Sequence, residues 1–324
     1  MKALLCQQHG LPNTLVYADA ADPRPGPGEV VVDVRAAGAN FPDVLIIQNK
    51  YQHKPELPFA PGAEFSGVVS AVGEGVRDRR VGDRVIGSCT FGAFAEKVKL
   101  SAGRTFVMPQ ALDFDRGAAF LLTYGTSYHA LVDRAQLRAG ETLLILGAAG
   151  GVGLAAIEIG KALGARVIAA ASSEEKLAVC KAHGADALIN YASDELREQI
   201  RAHTGGRGPD VIYDPVGGQY AEPAFRSIAW RGRYLVVGFA NGEIPRLPLN
   251  LALLKGASIV GVFWGQYTER EPEQFHADVA RMFTWIAEGK LNPHVSGRYR
   301  LAEGARALED LMNRRVTGKV LVLP

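Results

Sequence analysis

One stretch constrains the fold of this chain more than any other: Leu143-Leu144-Ile145-Leu146-Gly147-Ala148-Ala149-Gly150-Gly151-Val152-Gly153-Leu154-Ala155-Ala156. An apolar, strand-like run breaks into small residues and restarts as an apolar helix. Small residues at such a joint let a pyrophosphate reach backbone N–H groups at a helix N-terminus, where unsatisfied donors and the helix dipole favour negative charge. The spacing is that of the G-x-G-x-x-G/A dinucleotide fingerprint, with Ala148 in place of the first glycine and Gly150 and Gly153 at the later positions. A helix over 152–163, a turn at Gly164-Ala165 and a second apolar strand over 166–170 complete a βαβ unit of suitable length. The backbone of Ala149, Gly150, Gly151 and Val152 is the predicted phosphate cradle; the plain alternative is an ordinary strand–helix joint.

The chain has 324 residues, enough for two domains or one large α/β domain. With 36 basic and 34 acidic residues and a net charge of +2, it carries no bulk field for nucleic acid or membranes, and neither is an expected partner. Cys6, Cys89 and Cys180 are far apart and form no C-x-x-C pair, which argues against a disulfide framework and a cysteine-rich metal lobe. Reduced thiols and a cytoplasmic location are expected. The N-terminal run Met1-Lys2-Ala3-Leu4-Leu5 is too short for a signal peptide, and no stretch approaches the ~20 apolar residues of a membrane helix.

The first third is rich in turn signals between strand-like runs at 29–36, 64–72, 83–87 and 93–100, which predicts a β-rich, barrel-like domain. From Thr142 the texture changes to strands at 142–146, 166–170, 187–190, 210–214, 233–237 and 258–262 alternating with helices, the pattern of a doubly wound parallel sheet. A helix near 272–288, strands near 295–300 and 319–323 and a helix near 302–314 are read as folding back onto the first domain.

Five segments then carry a resemblance: Ala39-Asn40-Phe41-Pro42-Asp43, Pro61-Gly62-Ala63-Glu64-Phe65-Ser66-Gly67, the turn at 148–153, Ile189-Asn190-Tyr191 and Tyr213-Asp214-Pro215-Val216-Gly217-Gly218. Together they resemble the zinc-independent quinone oxidoreductases, the zeta-crystallin-like family of the medium-chain dehydrogenase/reductase superfamily. The resemblance implies an α/β architecture in which a Rossmann doubly wound parallel sheet, residues 122–263, is inserted into a split β-rich GroES-like catalytic domain, residues 1–121 plus 264–324. It implies NADPH as cofactor and metal-free hydride transfer to a quinone, or to an activated alkene such as a 2-alkenal, enone or enoyl-CoA. Where zinc-dependent relatives carry Gly-His-Glu this chain has Gly62-Ala63-Glu64, and no cysteine lies near Asn40, so a tetrahedral N/S zinc site has no ligand set.

The choice of nicotinamide cofactor is read at the end of the second Rossmann strand. NAD selection calls for a carboxylate there, about 20 residues past the glycines. Ala171-Ser172-Ser173 with Lys176 one turn later instead offers hydroxyls and a cation, which suit the 2′-phosphate of NADP. Ser172 or Ser173 can also simply cap the helix starting at Glu174, and Glu174 and Glu175 would put an acid near the ribose after a small register shift. Tyr191 resembles the family tyrosine beside the adenosine phosphate; a plain strand-end aromatic is the alternative.

At the nicotinamide end, Gly238 and Phe239 follow one strand and Phe263, Trp264 and Gly265 another, where a doubly wound sheet presents its ligand. The aromatic rings serve equally as core. By resemblance Asn40 and Thr126 face the nicotinamide ribose, Arg314 reaches the cofactor and Tyr51 stands on the substrate side, as hydrogen-bond donor or as wall. An Asx-turn for Asn40, a backbone-bonded helix hydroxyl for Thr126 and a solvated helix end for Arg314 are the structural alternatives. The resemblance also implies a homodimer, joined through the edge strand at 258–262 unless that edge is covered internally. A catalytically idle NADPH-binding protein is the reading from another class.

Overall fold

The computed structural model describes all of residues 1–324. The chain divides into two compact units, Met1–Leu122 with Pro293–Pro324, and Thr123–Asn292.

The first unit opens with a hairpin of β1 (Lys2–Leu5) and β2 (Val16–Asp19). Next come the long strand β3 (Glu29–Gly38), the short helix α1 (Phe41–Ile46), and strands β4 (Glu64–Val72), β5 (Arg84–Ser88), β6 (Lys97–Ser101) and β7 (Thr105–Val107). A short helix α2 (Phe114–Ala118) follows, its N-terminus capped by Asp113, whose carboxylate accepts from Arg116 N. The sheet is antiparallel along β3–β4–β5–β7, and β6 pairs with β3. Several close approaches to backbone carbonyls in this unit require glycine. A Cβ on Gly67 would lie 2.2 Å from the carbonyl oxygen of Asp33, and one on Gly38 would lie 2.1 Å from that of Ala118.

Helix α3 (Leu121–Tyr128) leads into the second unit and continues as one six-residue π-helical segment, His129–Arg134. The unit then alternates: β8 (Thr142–Leu146), α4 (Gly151–Ala162), β9 (Arg166–Ala171), α5 (Glu174–Ala182), β10 (Ala187–Asn190), α6 (Leu196–His203), β11 (Val211–Asp214), α7 (Ala221–Arg226), β12 (Arg233–Val236), α8 (Asn250–Lys255) and β13 (Ser258–Gly261). All five strand pairings are parallel, in the order β10–β9–β8–β11–β12–β13. The chain therefore winds outward in both directions from β8 and β11, and the switch point lies between them. Leu143, Leu144, Ile145 and Leu146 are all fully buried, as a central parallel strand covered on both faces requires. Two more helices, α9 (Trp264–Arg270) and α10 (Pro272–Ala287), end the unit.

The last segment returns to the first unit as β14 (Val295–Arg300), α11 (Gly304–Met312) and β15 (Lys319–Leu323). β15 pairs antiparallel with β3 and parallel with β14, extending the sheet to β14–β15–β3–β4–β5–β7. Val320 and Val322 join the core formed by Val30, Val32, Phe65 and Phe94.

The split architecture is as expected, but one boundary moves. Residues 264–292, assigned by the sequence reading to the first domain, belong to the second unit, because Trp264 and Phe275 pack edge to face there and the Trp264 indole lies over Gly125 of α3. The strand expected over 93–100 begins only at Lys97, and the residues before it make single bridges and irregular pairings.

Candidate active site

The turn after β8 is shaped by contacts that exclude side chains. Gly147 has φ 58°, and a Cβ there would come within 2.7 Å of the Val216 side chain after β11. A Cβ on Gly153 would lie 2.5 Å from the carbonyl oxygen of Ala148 and 2.6 Å from that of Gly147. The third fingerprint glycine is thus demanded by helix–turn packing. Ala148, in place of the first, is fully buried and hydrogen-bonded from its N–H to Ala170 O at 3.0 Å. Gly150 caps α4 in extended conformation, and the helical ladder starts with Leu154 N donating to Gly150 O at 2.9 Å. The N–H groups of the first turn, from Gly151 onward, have no partner within the helix, which suits an anion.

Four groups to which the sequence reading gave no individual role, Ser127, Tyr213, Asp214 and Tyr234, brace the turns on either side of the switch point. Ser127 Oγ donates to Val152 O at 2.8 Å and lies 2.9 Å from the buried hydroxyl of Tyr213, tying α3 to the first turn of α4. Asp214 Oδ1 accepts from the N–H groups of Val216 (2.7 Å) and Gly217 (2.8 Å), while the Tyr234 hydroxyl donates to Oδ2. Burial pushes the Asp214 carboxyl up, against the pull of those donors. The Tyr213-Asp214-Pro215-Val216-Gly217-Gly218 motif is thereby explained as a rigid turn on the other side of the switch point.

After β9 the capping reading of the serines holds, and the cap leaves the hydroxyls and the cation of the cofactor reading side by side. Ser173 caps α5, its Oγ accepting from Lys176 N at 3.3 Å, while Lys176 Nζ donates to Ser172 Oγ at 3.3 Å. The hydroxyls and the ammonium therefore stand together at the end of β9. Of the two acids that left the reading open, Glu174 has its Oε1 bonded to Asn190 Nδ2 at 2.8 Å at the end of β10, and Glu175 is exposed on α5. Tyr191 follows, its N–H donating to Ala171 O at 3.1 Å and its ring 4.4 Å from that of Tyr220.

The segments after β12 and β13, which the resemblance assigns to the nicotinamide, divide. Gly238 and the residues after it run along the 214–216 turn, with Ala240 N donating to Pro215 O at 3.0 Å, and Phe239 is half-buried beside Gly217. Phe263 is half exposed, whereas Trp264 is buried against Gly125, next to the half-buried Thr126. The Trp264 ring is therefore core packing, with Gly265 just past it at the start of α9. Its Nε1–H has no partner in the protein. The N–H groups at the start of α4, the small-residue turn before it and the unpaired Trp264 Nε1–H all fit a bound dinucleotide.

In the first unit the structure gathers a buried polar cluster around Asn40. Asn40 Nδ2 donates to Gly38 O and to Glu64 Oε1, both at 3.0 Å. Lys319 Nζ donates to Ala39 O (2.8 Å), to Glu64 Oε1 (2.6 Å) and to Asn40 Oδ1. Glu64 Oε2 accepts from Leu122 N at 3.0 Å. Asp43 accepts from Asn40 N (2.8 Å) and Gly62 N (3.1 Å), and burial pushes its carboxyl up to about 7 against those two donors and the Lys319 charge. Tyr51 packs on the same core, its phenol raised by burial and then by the Asp43 charge. Burial likewise pushes Cys89 up to about 12, which leaves it a thiol and no nucleophile. Arg314 stands apart, exposed past the end of α11 with φ 57°.

Glu64 and Lys319 were legible as charges in apolar strands, the usual sign of a buried pair, yet the sequence reading gave them no role. Ala63 is buried and offers no donor, and nowhere do three His, Cys, Asp or Glu side chains converge as a metal site.

Two outcomes test this geometry. Gly153→Ala should weaken dinucleotide binding about 10-fold or more while leaving the far-ultraviolet circular dichroism intact, because the helix must back away from the turn; unchanged affinity by calorimetry refutes the packing argument. Asp43 has a folded pKa above its unfolded value, so its contribution to stability is complete at low pH and is lost as pH rises toward about 7. Relative to Asp43→Asn, the wild type should lose at most about 1.4 kcal/mol per pH unit between mildly acidic and neutral pH. A pH-independent difference in urea unfolding would sink that assignment.

Comparison with known proteins agrees with this geometry. Residues 26–110 match the alcohol dehydrogenase GroES-like domain, and residues 151–284 match the domain described as zinc-binding dehydrogenase. The chain is 38% identical over 323 residues to mouse quinone oxidoreductase-like protein 2, covering 99% of this chain and 91% of the relative. It is 37% identical over 320 residues to the quinone oxidoreductase of Pseudomonas aeruginosa, covering 98% and 97%. The crystal structure of Escherichia coli quinone oxidoreductase complexed with NADPH superposes with a TM-score of 0.94 at 30% identity, covering all of both chains. With its buried Ala63 where zinc-dependent relatives place a histidine ligand, the chain belongs to the zinc-independent quinone oxidoreductase family of the medium-chain dehydrogenase/reductase superfamily and is an oxidoreductase of that family with an NAD(P)-type cofactor.

Proposed function

We propose that this protein is an NADPH-dependent quinone reductase working without metal. The observation that carries the reading is the end of β9, where Ser172, Ser173 and Lys176 stand together while Glu174 is engaged by Asn190. A 2′-phosphate meets hydroxyls and a cation there. When bound, NADPH supplies the hydride, so the protein need supply alignment and exclusion of water. Ala149, Gly151 and Val152 hold the pyrophosphate by backbone N–H groups, with Gly150, whose own N–H donates to Gly147 O, leaving the approach clear; Tyr191 flanks the adenosine phosphate, and Gly238, Phe239, Phe263, Gly265 and Thr126 serve the nicotinamide half, with Trp264 packed behind them against Gly125. Asn40 serves the nicotinamide ribose and Arg314 reaches the cofactor. Tyr51, kept protonated by its raised pKa, donates a hydrogen bond to the acceptor oxygen.

A quinone suits this set better than an enone or enoyl thioester. Charge from the hydride spreads over the quinone ring, so a hydrogen bond to the acceptor oxygen is enough, whereas reducing an alkene also requires delivery of a proton to carbon.

Oxidation of NADPH with benzoquinone, phenanthrenequinone, an alkenal and crotonyl-CoA distinguishes the readings. Turnover is expected with the quinones; turnover with the alkenal or thioester alone would move the assignment to alkene reduction, and silence with all four would leave a binding protein. Lys176→Ala should raise the NADPH KM about 10-fold or more and the NADH KM less than about 2-fold. Equal effects would return Lys176 to the helix surface.

We also infer a homodimer joined through β13. Support comes from the exposed apolar side chains around that edge, namely Leu249 just before α8, Leu253 and Leu254 within it, Ile259 in the strand and Phe263 after it. An open edge beside such a patch invites pairing with a second copy. Light scattering should give twice the chain mass, and Leu254→Glu with Ile259→Lys should give monomers; a monomeric wild type excludes the dimer. Three unpaired thiols support a cytoplasmic location, which cell fractionation checks.

A further inference from the structure

The cluster around Asn40 contains a lysine that the proposed chemistry does not use. Lys319 is 4% exposed and opens β15, a strand otherwise made of Val and Leu, with 278 residues between it and Asn40 in the chain. All three of its ammonium hydrogens have acceptors: Ala39 O, Asn40 Oδ1 and Glu64 Oε1. An ammonium donates and cannot accept, so whichever end of the Asn40 amide faces it must be the oxygen. The amide nitrogen is then directed to Gly38 O and Glu64 Oε1, and both of its hydrogens are consumed. What Asn40 retains is one lone pair on Oδ1. A residue held this way can accept from a hydroxyl but cannot donate to a carbonyl or phosphate oxygen.

We propose that Lys319 is a positioning residue, whose ammonium sets the orientation of the Asn40 amide so that Asn40 presents a hydrogen-bond acceptor to a hydroxyl-bearing ligand such as the cofactor ribose. The ligand half of this inference rests on the reading of Asn40 given above; the orientation half rests on the buried contacts alone. Glu64 acts as the shared brace, since its Oε1 takes both the ammonium and the amide while Oε2 is held by Leu122 N. Gly38 makes room for it, because a Cβ there would come within 2.8 Å of Glu64 Oε1.

The test is a double-mutant cycle on the full chain with Asn40→Ala and Lys319→Met, read by kcat/KM, by the NADPH dissociation constant and by the melting temperature. Lys319→Met should lower kcat/KM about 10-fold in the wild-type background and less than about 2-fold in Asn40→Ala. Independent, multiplicative losses would overturn the proposal. Lys319→Met leaves Glu64 as a buried, partly unpaired charge and lowers stability, so Lys319→Met with Glu64→Gln serves as the charge-balanced form. That pair should recover most of the melting temperature and little of kcat/KM; recovery of both would reduce Lys319 to charge neutralisation. Lys319→Arg should rescue in part, since a guanidinium donates but fits the site less well. A readout without cofactor separates this inference from the functional reading. The Asn40 side-chain amide protons should exchange slowly in the free wild type and quickly in the charge-balanced variant, and equal exchange refutes the orientation role. A wild type with slow amide exchange but no NADPH binding or turnover would instead overturn the functional reading, and with it the ligand half.

Discussion

The first unit depends on a buried ion pair between residues far apart in the chain. Lys319 and Glu64, 4% and 1% exposed, meet at 2.6 Å where β15, the end of β3 and the start of β4 come together. Removing two charges from water costs more than their attraction returns unless every remaining donor and acceptor is satisfied. Here they are: the ammonium has three acceptors, and the carboxylate takes Asn40, Leu122 and the lysine. The pair is thus tied to one arrangement of a polypeptide whose two parts are separated by the whole second unit. Any other seating of β15 would bury an unpaired lysine.

Asp43 belongs to the same cluster without sharing its bonds. It caps the entry to α1 through Asn40 N and holds Gly62 N, the residue before Ala63. Its carboxyl is raised to about 7 because burial outweighs two backbone donors and a neighbouring cation. The cluster therefore carries a group that titrates near neutrality beside an amide whose orientation is locked. In the second unit the comparable constraint is steric. At Gly147 and Gly153 added side chains would collide with Val216 and with turn carbonyls, so two strand ends on either side of the switch point are held close with their backbones bare.

Much of this was readable from the residues. The alternation from Thr142 gave the six parallel strands nearly to the residue, since each is a short apolar run, buried on both faces at the centre of the sheet and exposed at the edge strand β13. The helix cap after β9 was legible in the serines: Ser173 caps α5 while Ser172 meets Lys176. The strands β1, β2 and β7 were missed, being too short and too mixed in pattern to show a period. The grouping of 264–292 was misread for a different reason. An amphipathic helix declares that one face is buried and leaves the burying partner unnamed, and α9 and α10 pack with α3 of the second unit through Trp264 and Gly125.

By itself, the sequence determined the architecture, the bare phosphate turn, the loss of the histidine ligand at Ala63 and the basic, hydroxylic end of β9, because each is a local matter of residue type and spacing. Tertiary structure alone decided that Asn40 is an acceptor, that Glu174 faces Asn190, and that Trp264 is core with an unanswered N–H. Those outcomes depend on which side chains meet across hundreds of positions. A hydrogen bond's direction is set by the partner that arrives, and no spacing within a strand or helix records it.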